Sequence, residues 1–171
     1  TDGVRILERG AGATYAYSSS LKRDLIALVA DAKRAATFPL VDLEREVTDA
    51  HVDAVRRFVQ AQGRQIGYYG LAGFHGQTVL HQPLQRFTRQ LFDGRRAAVA
   101  IGIDVVADFR SADVQAGGQG APLVPLYHQA LVRGACLAEP IMVLNLGGVG
   151  NVTFVDGETV IAFDTGPASA L

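Results

Sequence analysis

Apolar residues recur along the first third of the chain at the spacing of a helix that buries one face. Leu21, Leu25, Leu28, Val29 and Ala32 share a face while Lys22, Arg23 and Asp31 fall opposite, predicting a helix over residues 21–36 capped by Ser19 or Ser20. Thr48 is a second N-cap, opening a helix in which Val52, Val55, Phe58 and Val59 share a face and which Gly63 ends. Upstream, residues 4–7 and 14–18 read as strands separated by Gly10-Ala11-Gly12. From Gln65 the pattern changes. Residues 66–74 read as a buried strand softened by Gly67, Gly70 and Gly73, running into the polar loop Phe74-His75-Gly76-Gln77-Thr78. Residues 91–101 read as a helix, and residues 104–107 as a short buried strand emptying into Asp108-Phe109-Arg110. Residues 123–132 form a helix that follows Pro122 and stops at Gly134. Residues 141–146 are a strong strand. The turn Gly147-Gly148-Val149-Gly150 follows, then a hairpin of residues 152–155 and 159–163 around Asp156-Gly157.

Strands therefore alternate with helices, and polar or glycine-rich loops repeatedly follow strands. That is the α/β pattern, in which ligands gather at the carboxyl ends of the strands. At 171 residues the chain can bury one full core, and no internal linker or repeat marks a boundary. A formal net charge of −1 gives no electrostatic case for nucleic acid or an anionic membrane. Apolar runs fall well short of the roughly 20 residues that a membrane helix needs. Cys136 is alone and cannot close an internal disulfide, which leans toward the cytoplasm. The chain opens without Met and stops just after a Gly-Pro pair, the pattern expected of a piece of a longer polypeptide.

Five constellations carry candidate chemistry. Gly117-Gly118-Gln119-Gly120-Ala121-Pro122 has no bulk to fill a core and is costly to order, so it fits a place where backbone passes close to a ligand. Just before it, Arg110 in Asp108-Phe109-Arg110-Ser111-Ala112-Asp113 offers a planar fork for carboxylate or phosphate, or else an Asp–Arg structural ion pair. His75, Gln77 and Thr78, with His81 close behind, suit a hydroxyl-rich ligand such as a sugar. The same histidines with His128 could hold a metal, although their spacing matches no common zinc pattern, or could simply be satisfied loop residues. Asn145-Leu146-Gly147-Gly148 can wrap phosphate oxygens with main-chain N–H groups or serve as a plain hairpin turn. Asp164-Thr165-Gly166-Pro167, after an apolar strand, supplies a general base or a Mg²⁺-positioning carboxylate, with Thr-Gly amides for phosphate. The alternative is a strand-ending turn.

Taken together, these motifs resemble the anhydro-N-acetylmuramic acid kinases of the actin-like sugar kinase superfamily. The matching pieces are Asp2-Gly3-Val4; His75 to Val79 with His81 and Pro83; Gln90; Asp93; Asp108-Phe109-Arg110; and Asp113. They continue with Gly117 to Pro125, Asn145-Leu146-Gly147-Gly148 with Asn151, and Asp164-Thr165-Gly166-Pro167. The resemblance implies an actin-like (ribonuclease H-like) α/β kinase lobe, a mixed sheet flanked by helices, spanning residues 1–171 as one lobe of a two-lobe enzyme. It implies ATP-dependent hydrolytic opening of 1,6-anhydro-N-acetylmuramic acid to N-acetylmuramic acid 6-phosphate, in cytoplasmic cell-wall recycling. Asp164 would be the catalytic base. His75, Gln77, Thr78, Arg110 and Asp113 would face the sugar. Asp2, Gly3, Gly147, Gly148, Thr165 and Gly166 would face ATP, with Asp2 toward Mg²⁺. The partners implied are the amino sugar and ATP, without nucleic acid or membrane, and a homodimer is compatible. The chain departs from the family pattern at Arg5, Phe92 and Ala168-Ser169, and the Met-Ser-Gly-Thr-Ser hairpin and second lobe are absent from it. The isolated chain is therefore expected to be inactive, and a non-catalytic sugar-binding relative is the alternative.

Overall fold

The computed structural model describes residues 5–168. They build a mixed α/β protein that divides into two compact units, one of Ala13–Gly118 and one formed by the described residues up to Gly12 and from Gln119 onward. The expected Asp2 and Gly3 lie outside the described residues.

In the first unit, helices α1 (Ser19–Val29), α2 (Ala32–Thr37) and α3 (Val41–Ala61) pack over two small two-stranded sheets. The helix expected over 21–36 is two helices, because Asp31 starts a new one by accepting the Arg34 N–H at 2.9 Å. The first cap is Ser18 rather than Ser19 or Ser20, since its hydroxyl accepts from Leu21 N. Leu21, Leu25 and Leu28 are buried as the periodicity predicts, but Val29 is exposed.

Thr48 caps nothing. Helix α3 begins at Val41, with Asp42 and Glu44 in its first turn where the helix dipole favours acids, so Thr48 sits mid-helix with no exposed surface. Its hydroxyl donates to Glu44 O at 2.7 Å and accepts the Asp93 N–H at 2.9 Å. On either side, Val47 joins the core of Leu21, Leu25, Leu28, Val79 and Leu91, while Val52 joins that of Phe74, Ala97 and Ile101. Gly63 does end α3, in the left-handed conformation at φ +63°.

Of the strand expected over 66–74 only β1 (Leu71–Phe74) forms, after a 3₁₀ turn at Ile66–Tyr68. It runs parallel to β4 (Asp104–Ala107), Phe74 facing Ala107. Strand β2 (Gln77–Gln82) takes up what was expected to be a loop at Gln77 and Thr78, and pairs antiparallel with β3 (Phe87–Leu91). The helix expected from 91 therefore starts later, as α4 (Gly94–Ile101), with Asp93 accepting from Arg96 N as its cap. A short helix α5 (Ser111–Ala116), not anticipated, follows β4.

In the second unit, residues 5–8 are not a strand but border an open groove along α6 (Pro125–Gly134). Residues 14–18, in the first unit, likewise form no strand. Pairing makes a strand, and these segments pair with none among the described residues. Strands β5 (Ile141–Leu146), β6 (Val149–Asp156) and β7 (Thr159–Pro167) form one antiparallel sheet, so the expected single mixed sheet is resolved into three separate sheets. The tight turn is Gly157-Glu158, one residue beyond the expected Asp156-Gly157, with Gly157 at φ +58°. One sheet face carries α6, where His128 Nδ1 lies 2.7 Å from the buried Thr153 hydroxyl. Register places Met142, Leu144, Leu146, Ile161 and Phe163 on the other face, each more than half exposed.

Thr48→Val removes the hydroxyl that accepts the Asp93 N–H and should destabilise the chain by about 1–3 kcal/mol, while Thr48→Ser keeps most of the loss from appearing. Urea denaturation of the three proteins checks this. Burial holds the His128 imidazole below its ordinary value. The unfolded chain therefore takes up a proton first as pH falls, and stability present above about pH 6.5 is lost below it. Thermal melts between pH 7 and pH 5 should show this decline, and His128→Gln should flatten it.

Candidate functional site

The first unit owes its candidate site to the parallel pairing of β1 and β4. Their carboxyl ends lie side by side, so His75-Gly76 and Asp108-Phe109-Arg110 emerge together. The Arg110 Nε–H donates to His75 Nε2 at 2.9 Å. A guanidinium has only donors, so His75 Nε2 must be the bare nitrogen and Nδ1 carries the proton. Nδ1 in turn lies 2.9 Å from Gly76 O and donates to it. These two contacts set the imidazole tautomer.

Glycines give this site its closeness. At Gly76, with φ +70°, a Cβ would meet Leu91 O at 2.9 Å and Phe92 Cβ at 2.8 Å. At Gly118 it would collide with the Asp113 carboxylate, and the Gly118 N–H donates to Asp113 O at 2.8 Å. Asp108 adopts φ +58°, and its carboxylate accepts from Ser111 N as α5 begins. Backbone of the Gly117 run thus passes close to a charged side chain at Gly118.

A cleft of about 230 Å³ opens here, lined by His75, Thr88, Gln90, Phe92, Asp108 and Ser111 together with Arg89. Of the five residues expected to face a sugar, His75 lines it and Arg110 is bonded to His75. Gln77 turns away, its Oε1 accepting from the Tyr17 hydroxyl at 3.4 Å, and lines a different groove along α1. Thr78 pairs with Gln90 across β2 and β3, and Asp113 stands in the first turn of α5 against Gly118. Gln90, Asp108 and Ser111 were not chosen as site residues. Gln90 and Asp108 sit in the motifs, but nothing in a linear sequence says that β3 borders the same cleft as β4.

In the second unit the glycine turn and the acidic motif meet on one sheet. Gly147-Gly148 links β5 to β6, with Leu146 opposite Gly150 and Gly150 opposite Gly166. The Asp164-Thr165-Gly166-Pro167 motif was expected in a loop, but it is paired strand. Asp164 faces Asn151 and Pro167 faces Val149. Between these pairs the register shifts and leaves Thr165 as the extra residue of a bulge, its hydroxyl donating to Gly150 O at 3.0 Å. Bulges re-aim side chains at strand ends. A Cβ at Gly150 would press on the Thr165 hydroxyl at 3.0 Å, whereas one at Gly147 would find only ordinary contacts. Glycine at 150 is thus explained by packing, and glycine at 147 is not. No group of three metal-ligating side chains occurs among the described residues, and the expected metal ligand, Asp2, lies outside them. No helix among them is long and apolar enough to cross a membrane.

Glycine-pinned loops at the ends of parallel strands in one unit, and an antiparallel sheet with a bulged edge strand in the other, describe a mixed α/β protein. A family model described as anhydro-N-acetylmuramic acid kinase matches residues 4–171. Proteins named anhydro-N-acetylmuramic acid kinase from Paramagnetospirillum magneticum and Rhodopseudomonas palustris are each 48% identical over the whole chain, covering 46% and 48% of their own lengths. The protein of that name from Rhodospirillum rubrum is 44% identical and covered over 45% of its length. The chain belongs to the anhydro-N-acetylmuramic acid kinase family, and it spans about half the length of the curated relatives it matches.

The His75 tautomer is open to direct test. A ¹⁵N–¹H correlation spectrum of the imidazoles should show His75 protonated at Nδ1 and bare at Nε2. Arg110→Ala leaves the Nδ1–Gly76 contact in place but removes the donor to Nε2, and should let the Nε2-protonated tautomer appear beside the first.

Proposed function

We propose that the full gene product carrying this chain is an ATP-dependent kinase that opens 1,6-anhydro-N-acetylmuramic acid and delivers N-acetylmuramic acid 6-phosphate. The observation that carries this reading is the geometry of the second unit. One end of one sheet holds the Asp164 carboxylate, the Thr165 bulge and the Gly147-Gly148 turn. A base and a phosphate-binding turn must be neighbours if one active centre is to add water and transfer a phosphoryl group.

In this reading Asp164 takes a proton from water. The water oxygen bonds to the anomeric carbon as the bond from that carbon to O6 breaks. The freed O6 takes the γ-phosphoryl group of ATP, and ADP leaves. Phosphoryl transfer depends mainly on positioning and on charge neutralisation. The Gly147-Gly148 turn and the Thr165-Gly166 amides supply main-chain contacts to phosphate. Mg²⁺, when bound, neutralises phosphate charge, and it asks few ligands of the protein because it keeps waters and phosphate oxygens. Asp2 is the residue proposed to reach it, and Asp2 with Gly3 completes the nucleotide side.

The sugar side falls to Gln77, Thr78 and Asp113 by their position in the motifs, and to His75 and Arg110 at the cleft, with Arg110 facing the lactyl carboxylate. Its guanidinium is oriented by His75 at 2.9 Å, the sort of preorganisation a bidentate carboxylate contact requires. The cleft beside it is smaller than the roughly 300–1,000 Å³ of most ligand pockets and suits part of a sugar rather than sugar and nucleotide together.

The actin-like lobe architecture, with further polypeptide completing the ATP site, belongs to the same proposal. The open face of Met142, Leu144, Leu146, Ile161 and Phe163 supports it, because soluble proteins seldom leave such a patch uncovered. On this reading the 171-residue chain alone does not turn over ATP, and the enzyme works in the cytoplasm on cell-wall sugar. A second reading, a sugar-binding protein without catalysis, draws on Phe92. It stands where the family usually has glycine, stacks on Phe74 at 4.7 Å and lines the cleft.

A coupled ATP-turnover assay on the full gene product with the anhydro sugar separates the two. Sugar-dependent turnover that falls by about 10²–10⁴ in Asp164→Asn supports the kinase. Sugar binding without turnover supports the non-catalytic reading.

A further inference from the structure

Asn151 is an unexpected residue for its place. It lies on the α6 face of the central strand β6, is only 8% exposed, and its Oδ1 is buried with no hydrogen-bond partner. Its neighbours on that face are handled otherwise: Val155 is apolar, and Thr153 is satisfied by His128. A buried acceptor left unpaired costs free energy that valine at this position would not.

Register gives the residue a context. Asn151 faces Asn145 on β5 and Asp164 on β7, so three polar side chains cross the sheet in one row. Directly opposed residues have Cβ atoms about 4.5–5.5 Å apart, within reach of an amide and a carboxyl. The next pair along, Gly150 with Gly166, lies past the bulge that the Thr165 hydroxyl fastens to Gly150 O. Asp164 thus has the fastened bulge on one side and Asn151 across from it.

We propose that Asn151 is the positioning residue of Asp164, its Oδ1 accepting the hydrogen bond of the carboxyl once that group has taken its proton. The proposal rests on the reading of Asp164 as base. The proton moves from water to Asp164, the water oxygen bonds to the anomeric carbon, and Asn151 exchanges no proton. Its contribution is to hold the carboxyl in one orientation through the step, which an amide can do and a hydrocarbon cannot. The unpaired acceptor of the resting structure is then spent on the reacting state, a local sacrifice of stability of the kind active sites make.

The test uses the full gene product with Asn151→Val and Asn151→Thr. Asn151→Val should melt at or above the wild-type temperature and bind the anhydro sugar within threefold of wild type, yet lose roughly 30–100-fold in kcat with KM nearly unchanged. Asn151→Thr, which restores an acceptor, should recover at least tenfold of that loss. Wild-type kcat in Asn151→Val, or a loss of kcat matched by a fall in melting temperature and not rescued by Asn151→Thr, would overturn the proposal. Asp164→Asn run alongside keeps the two ideas apart. If it retains wild-type turnover, the base reading has failed; if it is inactive while Asn151→Val is unaffected, only the positioning role has failed.

Discussion

The parallel pairing of β1 with β4 is the constraint on which the first unit's chemistry depends. Parallel strands end at the same edge, so loops more than thirty residues apart in sequence leave the sheet as neighbours. From that follows the Arg110–His75 hydrogen bond, and from the arginine's lack of any acceptor follows the imidazole tautomer. The core serves this pairing. Phe74 at the end of β1 packs with Val52, Ala97 and Ile101, and the buried Thr48 hydroxyl ties α3 to the start of α4 through the Asp93 N–H. A change in any of these would move the strand ends and with them the cleft.

The second unit reaches a comparable result by antiparallel register. Its three strands bring a glycine turn, a bulge and a polar row to one end of a sheet whose other end is closed by Gly157-Glu158. Here the devices are a bulge at Thr165, next to Asp164, and the Thr165 hydroxyl that fastens it.

Much of this was legible in sequence where a pattern is local. The bounds of β4 and β5 follow from short apolar runs, and the end of α3 from Gly63. What was misread depended on partners distant in the chain. Thr48 reads as a cap because threonine before an apolar stripe usually is one, yet its hydroxyl is taken by Glu44 and Asp93. Phe87–Leu91 is too short and mixed to stand out, and becomes a strand only because β2 lies beside it. The Asp164 motif has turn residues but is drawn into the sheet by pairing with Asn151, Gly150 and Val149. Among the motif residues, His75 and Arg110 meet beside the cleft, whereas the β2 pleat turns Gln77 toward Tyr17. The family likewise was legible from those motifs, and the family match over residues 4–171 bears it out.

The central claim is that one centre adds water at the anomeric carbon and phosphorylates the oxygen that this frees. Running the full gene product with the anhydro sugar and ATP in H₂¹⁸O, with rapid borohydride trapping, tests it most directly. One ¹⁸O is expected on the anomeric carbon of the 6-phosphorylated product and none in its phosphate. Label in released phosphate, with the anhydro ring intact, would mean that water attacks ATP instead and would contradict the account.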